Sequence, residues 1–209
     1  MIPLPTAPAF TTAWPGLPDG TPLRRTSNIR AKAFRASLRR RAQLKAAADI
    51  LPQLPRPGES MHALMTGTFD FLHLLTVVIQ SRPVRCETLR LATLAFSRRN
   101  VAELCRLLDS KLVARLTLLC SDFMARSNPE IYQGAAAELA EARKQTVASA
   151  RCHCKVACLA FADGEQLVFE GSANLRTNKN LENMTAINDA GLHDWHAAWI
   201  DAEVRRHEA

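Results

Sequence analysis

The chain has 209 residues, a formal net charge of +7 and a sequence pI near 9.4. Hydrophobic residues make up 47% and charged residues 22%, as in ordinary globular proteins. This length and composition exclude a disordered chain and a disulfide-stabilised mini-protein, and they allow one domain with a hydrophobic core. No apolar run reaches the roughly 18 residues that a membrane span needs. The longest candidate, Phe69–Ile79, is interrupted by Asp70 and His73.

The amino-terminal part of the chain contains three segments of different composition. Residues 1–23 hold six of the eleven prolines, which predicts a flexible Pro-rich arm. Arg24–Lys45 carries nine lysines and arginines and no acid, so the positive surplus of the chain is local. The good helix formers of Ile29–Ile50 predict a basic helix, and the three prolines of Leu51–Gly58 predict a linker. The predicted organisation is therefore an arm (1–23), a basic helix with its linker (24–58) and a folded domain (59–209).

The basic helix suggests a polyanionic partner. A helix of this charge can lie along the phosphates of a nucleic acid or on an anionic membrane surface. The alternative is a solvated helix that caps the domain, with its arginines paired to local acids. The cations that we expect to bind substrate are Arg30, Lys32, Arg35, Arg39, Arg40 and Arg41.

From residue 59 onwards the sequence predicts alternating helices and strands. Apolar periodicity predicts helices over Phe69–Gln80, over Asn100–Asp109, from Pro129 to about Thr146, and over Leu192–Val204. Strands are predicted over Thr88–Phe96, Val113–Ser121, Val147–Ala162, Gln166–Gly171 and Met184–Asn188. The pair Asp163-Gly164 is typical of a hairpin turn. This pattern predicts an α/β fold in which a mixed sheet has helices on both faces.

Several polar side chains are expected to meet at one end of the predicted hairpin. Alternate side chains of a strand share a face, so His153 and Lys155 should point the same way. The returning strand would bring Ser172 and Asn174 to the same end, and Glu182 is near enough in sequence to orient the imidazole. Taken singly, each has a structural explanation, since a strand histidine is often structural and Ser172 and Asn174 are ordinary turn formers.

This combination of groups suits the hydrolysis of a phosphodiester. A neutral imidazole at His153 can attack phosphorus and form a phosphohistidine, while Lys155 and Asn174 donate to the non-bridging oxygens. Glu182 would accept from the other ring nitrogen and fix the tautomer. The scheme needs neither a metal nor a cofactor, but it needs a second proton donor for the leaving oxygen.

The motif resembles the signature of the phospholipase D superfamily, in which H-x-K is followed by a G-S-x-N turn. The match covers His153, Lys155 and Gly171–Asn174, and Asn180–Asn183 resembles the downstream N-x-E-N element of the bacterial endonuclease branch. The resemblance implies a phospholipase D-like catalytic domain over residues 59–209 and a nuclease acting on DNA or RNA. Because single-copy members of the family pair as homodimers, it also implies that His153 of a second copy protonates the leaving group.

The chain departs from the family pattern at one position. Five residues after Lys155, where the family usually has aspartate, stands Ala160, and Asp163 falls in the predicted turn. This departure leaves open a catalytically impaired nucleic-acid-binding protein of the same fold. A phospholipid phosphodiesterase is a further alternative. Against it stand the lack of a signal-peptide pattern and of an interfacial apolar helix in the arm.

The six cysteines lie in apolar or periodic segments rather than at the loop spacings of a disulfide framework. Since residues 1–20 also lack the apolar run of a signal peptide, we expect buried thiols and a reducing, cytoplasmic location. Cys152, Cys154 and Cys158 with His153 invite a zinc interpretation. The set lacks two separated ligand pairs, and strand alternation would separate His153 from the thiols, so core cysteines are expected instead.

Overall fold

A computed structural model describes residues 26–176 and 180–208, with side chains described from residue 35 to 206 within those ranges. The arm of residues 1–23 lies outside the described residues. Contacts divide the chain into two units, Met1–Leu38 and Arg39–Ala209. The predicted basic helix is confirmed as α1 (Thr26–Ile50), whose first half is the described part of the first unit.

Among the described residues, seven strands form one mixed sheet in the second unit. From one edge to the other the strands are β1 (Ser60–Met65), β7 (Glu182–Ile187), β6 (Gln166–Gly171), β5 (Val156–Phe161), β2 (Cys86–Thr93), β3 (Val113–Ser121) and β4 (Thr146–Ala150). β2, β3 and β4 run parallel, and the other neighbouring pairs run antiparallel. The predicted mixed α/β sheet is therefore confirmed.

Helices cover both faces of this sheet. One face carries α2 (Phe71–Ser81), α3 (Arg98–Asp109), α4 (Asp122–Ser127) and α5 (Pro129–Ala135), and the other carries α6 (Ala190–Glu208). The two layers follow from strand alternation, since Leu118 lies in the larger core and Leu119 in the smaller core beneath α6. None of the helices in the described ranges combines the length and apolarity that crossing a bilayer requires. The cytoplasmic location stays a prediction.

Two predicted elements differ most from the structure, and β1 and α4 are not among the predicted elements. The strand predicted over Val147–Ala162 is two strands, β4 and β5, which β2 and β3 separate in the sheet. The helix predicted from Pro129 to about Thr146 continues from α5 through a π-helical turn, Ala136–Glu141, and stops there because Thr146 already begins β4. The strands predicted over Val113–Ser121 and Gln166–Gly171 have the bounds of β3 and β6.

The hairpin of β5 and β6 has two distinct ends. Gly164 occupies the turn at a φ of +89°, a conformation that glycine adopts without strain. Pairing runs from Ala160 opposite Gln166, near this turn, to Val156 opposite Glu170. We call the first the turn end and the second the open end. The open end joins the hairpin to residues 151–155 and 171–176, which hold the predicted site.

Candidate active site

The connection from β4 to β5 carries the histidine and the lysine of the motif. Residues 151–155 are irregular, because the chain must pass the ends of β3 and β2 before it enters β5. His153 is exposed and Lys155 is half-buried. Lys155 Nζ lies 2.8 Å from His153 Nδ1 and donates to the His153 carbonyl oxygen at 2.7 Å. The imidazole and the ammonium therefore meet as predicted, although they lie in a connection rather than on a strand.

The Gly171–Asn174 turn is fixed between the neighbouring strands. The Gly171 N–H donates to the Lys155 carbonyl at 3.3 Å, which ties the turn to the motif lysine. A Cβ at position 171 would overlap the backbone carbonyl of Asn183, so this close approach of β6 to β7 requires glycine. The Ser172 N–H donates to the Asn183 carbonyl at 3.0 Å, and the Asn183 N–H donates to Ser172 Oγ at 3.1 Å. The hairpin thus delivers the turn to the open end, as expected.

Glu182 begins β7 beside this turn. Its Oε2 accepts a hydrogen bond from Ser172 Oγ. Burial lowers the pKa of Lys155, and the nearby carboxylate of Glu182 opposes that shift, so the two groups lie within electrostatic range. The sequence predicts that Glu182 holds a ring nitrogen of His153. In this structure the contact of Nδ1 is with Lys155.

Asn174 is half-buried beside a small cleft. Among the described residues, its buried Oδ1 has no hydrogen-bond partner. A half-turn of the amide would place the Nδ2 donor at the same position, so a ligand of either polarity could pair there. The cleft is also lined by Glu182 and by the exposed Arg176, a cation that the motif alone does not single out.

A buried polar network holds the residue that follows Asn174. Asn100, only 2% exposed at the start of α3, donates to the Leu175 carbonyl at 3.1 Å and to Asp70 Oδ2 at 3.0 Å. The Leu175 N–H donates to the buried Thr93 Oγ1 at 3.3 Å. Side chains from two other elements thus hold both backbone groups of Leu175, which restricts the amide-bearing turn. Asn100 could not be found from the sequence, because its partners are 30 and 75 positions away.

The predicted substrate-binding cations differ in their surroundings. Arg40 donates to both carboxylate oxygens of Glu103, at 2.5 and 2.7 Å, and these hydrogen bonds raise the pKa of Arg40. This ion pair makes Arg40 poorly suited to the predicted phosphate contact. Arg35, Arg39 and Arg41 are exposed. The side chains of Arg30 and Lys32 lie outside the described part of the chain.

The cysteines around the histidine differ from the prediction, because not all of them are core residues. Burial is complete or nearly so for Cys86, Cys105, Cys120 and Cys158. Cys152 is half-buried and Cys154 is exposed, because they lie in the connection between two strands rather than inside one. In the part of the chain that the structure describes, no three His, Cys, Asp or Glu side chains group as a metal site would require.

Several solved structures are similar to this one. Nuc from Salmonella typhimurium, described as a phospholipase D family member, is 14% identical, with a match over 71% of this chain and 97% of that chain and a TM-score of 0.51. TrmBL2, an archaeal chromatin protein described as showing a novel mode of DNA binding, is 12% identical over 87% of this chain and 64% of that chain, with a TM-score of 0.50. NucT from Helicobacter pylori is 19% identical over 70% of this chain and 97% of that chain, with a TM-score of 0.48. No protein-family model matches the sequence, and no curated protein is similar to it.

Sequence identities this low show similarity of fold alone. The match with Nuc spans nearly the whole of that protein and 71% of this one. The chain therefore has the fold of the phospholipase D superfamily, and the relationship predicted from its H-x-K and G-S-x-N motifs is confirmed at the level of the fold.

Proposed function

We propose that this protein is a metal-independent phosphodiesterase, a nuclease that acts on DNA or RNA through a phosphohistidine at His153. The contact of His153 with Lys155 at the open end of the hairpin, beside the Gly171–Asn174 turn, is the observation that carries the proposal. An exposed imidazole is accessible to a polymeric substrate. The adjacent ammonium can bind the charge that develops on phosphorus oxygens in the transition state.

The lysine changes partner when a phosphodiester binds. Without substrate, Lys155 Nζ lies against His153 Nδ1. The non-bridging oxygens compete for this ammonium, and its release lets Nδ1 carry the ring proton while Nε2 keeps its lone pair. Nε2 then attacks phosphorus, so that an N–P bond forms and the P–O bond to the leaving oxygen breaks. Asn174 donates to a non-bridging oxygen, and the nearby carboxylate of Glu182 stabilises the proton on Nδ1.

A second copy of the chain supplies the proton for the leaving oxygen. In a twofold homodimer each subunit presents the same residue, so two His153 side chains can face one another across the axis. The second imidazolium protonates the leaving oxygen and then, as a base, takes a proton from the water that hydrolyses the phosphohistidine. The exposure of His153 in the single chain is what this arrangement requires.

Exposed arginines near the strand ends that hold the candidate site favour nucleic acid over phospholipid. Arg98 and Arg99 begin α3 after β2, Arg126 lies in α4 after β3, and Arg151 follows β4. Since β2, β3 and β4 are parallel, their carboxyl ends lie on the same side of the sheet. Val156 begins β5 on this side, so the open end of the hairpin lies there too. A row of cations gives affinity for a polyphosphate, whereas a lipid presents a single head group to each site.

Ala160 is the reason to consider a catalytically impaired nucleic-acid-binding protein. It lies on β5, four residues beyond Val156, towards the turn end. A strand rises about 3.3 Å per residue, so this position is about 13 Å from the open end. A side chain there is too distant to touch His153, and an alanine at this position leaves the reacting groups in place.

Cleavage of plasmid DNA, single-stranded DNA and RNA in EDTA tests the proposed function. The wild type is expected to cut and His153→Ala is not. His62→Ala, which changes an exposed histidine on β1, should cut like the wild type. Acid-free denaturation during the reaction should trap an oligonucleotide joined to His153. Binding of nucleic acid without cleavage would favour the catalytically impaired nucleic-acid-binding protein. Equal cleavage by His153→Ala and the wild type would contradict the mechanism.

The contribution of α1 is tested by a salt series. Replacing Arg35, Arg39 and Arg41 together with glutamine should reduce the slope of log affinity against log salt by about 0.9 for each duplex phosphate that these arginines neutralise. Arg40→Gln is the matched control, because Glu103 already holds this arginine. An unchanged slope in the triple variant would remove the helix from the binding surface.

A further inference from the structure

Two thiols flank the histidine of the motif. Only His153 separates them in the connection between β4 and β5, where Cys152 is half-buried and Cys154 is exposed. The two sulfurs are close enough to interact electrostatically. We propose that Cys152 and Cys154 are an oxidation site at which a reversible disulfide forms and inactivates the enzyme. The inactivation rests on the proposed function, whereas the disulfide itself does not.

The surroundings of the two thiols assign them different parts in the reaction. Exposed Cys154 is open to a peroxide in solution. Burial raises the pKa of Cys152 to about 11, which keeps it protonated until its neighbour has reacted. Lys155 lies close enough to both sulfurs to interact with them electrostatically. Peroxides oxidise accessible thiols, so the exposed Cys154 is the thiol that reacts first.

The oxidation is balanced with hydrogen peroxide as the oxidant. The Cys154 thiolate attacks the O–O bond, so that the sulfur becomes a sulfenic acid and the released hydroxide takes up a proton to give water. The Cys152 sulfur then attacks the sulfenic sulfur, an S–S bond forms and a second water leaves with the thiol proton. Overall, two thiols are oxidised and one peroxide is reduced. A dithiol reductant reverses the change.

The bridge would close a ring around the backbone of His153. Joining the two sulfurs fixes the dihedral angles on both sides of this residue. Lys155 follows Cys154 directly, and its hydrogen bonds to Nδ1 and to the carbonyl oxygen of His153 depend on the present course of the backbone. Oxidation should therefore separate the imidazole from the ammonium, and activity should fall with it.

Cys120 is the competing partner for Cys152. It lies near the end of β3, close enough for the two sulfurs to interact electrostatically. Cys120 is completely buried, and burial raises its pKa to about 12, so it is shielded from solvent and slow to ionise. These properties favour Cys154 as the first thiol to react.

Peptide mapping of the full chain tests the oxidation site. The protein is treated with hydrogen peroxide, denatured, alkylated with iodoacetamide and digested with trypsin, which cuts after Arg151 and Lys155. Both thiols then fall in the peptide 152–155. This peptide is expected to be unalkylated and lighter by two hydrogen atoms, and dithiothreitol should reverse both changes. A peptide cross-linked to Cys120, or a sulfinic or sulfonic acid on Cys154 without a disulfide, would overturn the pairing.

Activity measurements with two variants test the inactivation. Cys154→Ser should keep its basal activity and lose its sensitivity to peroxide, while the matched control Cys105→Ser, on α3, should remain sensitive. If the disulfide forms in a protein that cuts no nucleic acid, the oxidation site stands and the proposed function fails. If the disulfide forms and cleavage continues unchanged, the inactivation is wrong and the nuclease stands.

Discussion

The two ends of the β5–β6 hairpin are both polar, but their side chains are partnered differently. At the turn end opposite charges form ion pairs, since Arg82 lies 2.7 Å from Asp163 and 2.9 Å from Glu165. At the open end the exposed imidazole of His153 lies 2.8 Å from the ammonium of Lys155. Carboxylates that neutralise a cation stabilise a fold, whereas an ammonium beside an accessible imidazole can bind an anionic ligand. The comparison separates the structural from the functional use of the same kinds of residue.

The largest expected difference is in nuclease activity, between replacing Lys155 at the open end and replacing Arg82 at the turn end. Lys155→Met should reduce nuclease activity by about 10²–10³, the usual cost of losing a donor to transition-state charge. Arg82→Met should leave activity unchanged and lower the free energy of unfolding by about 1 kcal/mol or less, because its ion pairs are partly exposed. Initial rates and urea unfolding of both variants measure the two effects. Loss of activity in Arg82→Met without loss of folded protein would break the comparison.

A smaller effect is expected from the network beneath the open end. Asn100→Ala leaves the Leu175 carbonyl and Asp70 without this donor, so the free energy of unfolding should fall by about 2 kcal/mol. Because the turn loses a buried anchor, activity per folded molecule should also fall by about tenfold. Asn128→Ala is the matched control, since this N-cap residue of α5 makes no side-chain capping bond. A fall in stability with normal activity would limit Asn100 to a structural role.

The local elements of the fold could be predicted from sequence better than its long-range contacts. β3 and β6 follow from continuous apolar runs, and the pair Asp163-Gly164 predicts the hairpin because its turn needs a positive φ. Splitting Val147–Ala162 into two strands could not be predicted, since both halves have strand-like composition and only their partners in the sheet separate them.

In the candidate site, too, local contacts could be predicted from sequence and long-range contacts could not. The spacing of His153 and Lys155 sufficed to predict that they meet, because neighbours in sequence remain neighbours in any extended conformation. The ion pair of Arg40 with Glu103 joins residues 63 positions apart, and pairings at such separations depend on the packing of whole helices.

Ala160→Asp would sharpen the comparison with little change in function. A carboxylate at this position lies towards the turn end of β5, too far from His153 to orient it. Activity should stay at the wild-type level. The free energy of unfolding should fall by about 1 kcal/mol, the ordinary cost of a substitution at a half-buried position. A clear gain in nuclease activity would show that the two ends communicate.

The smallest expected effect is a difference in acid sensitivity. His196 Nε2 contacts Glu170 near the open end at 3.2 Å, and burial lowers the pKa of His196 more than Glu170 raises it. As the pH falls below about 6.5, the unfolded chain therefore takes up a proton before the folded one, and stability decreases. At the turn end, a backbone N–H and Arg82 lower the pKa of Asp163, so that contribution is lost only in stronger acid.

Urea unfolding on either side of the ordinary histidine pKa, from about pH 7.5 to about pH 5.5, measures this difference. The free energy of unfolding of His196→Gln should decline less steeply with acid than that of the wild type, because the variant has no imidazole to protonate at this position. An unaltered decline would assign the acid sensitivity to other groups.

The segment that holds His153 bridges two strands that are not neighbours in the sheet. β4 and β5 stand three strand spacings apart, about 14 Å, and the six peptide units from Ala150 to Val156 can cover at most about 21 Å. Removing or adding one residue would change the course of this bridge and with it the position of the imidazole relative to its lysine. Homologues that retain the nuclease activity should therefore keep the number of residues between these strands, even where the lengths of their outer loops differ.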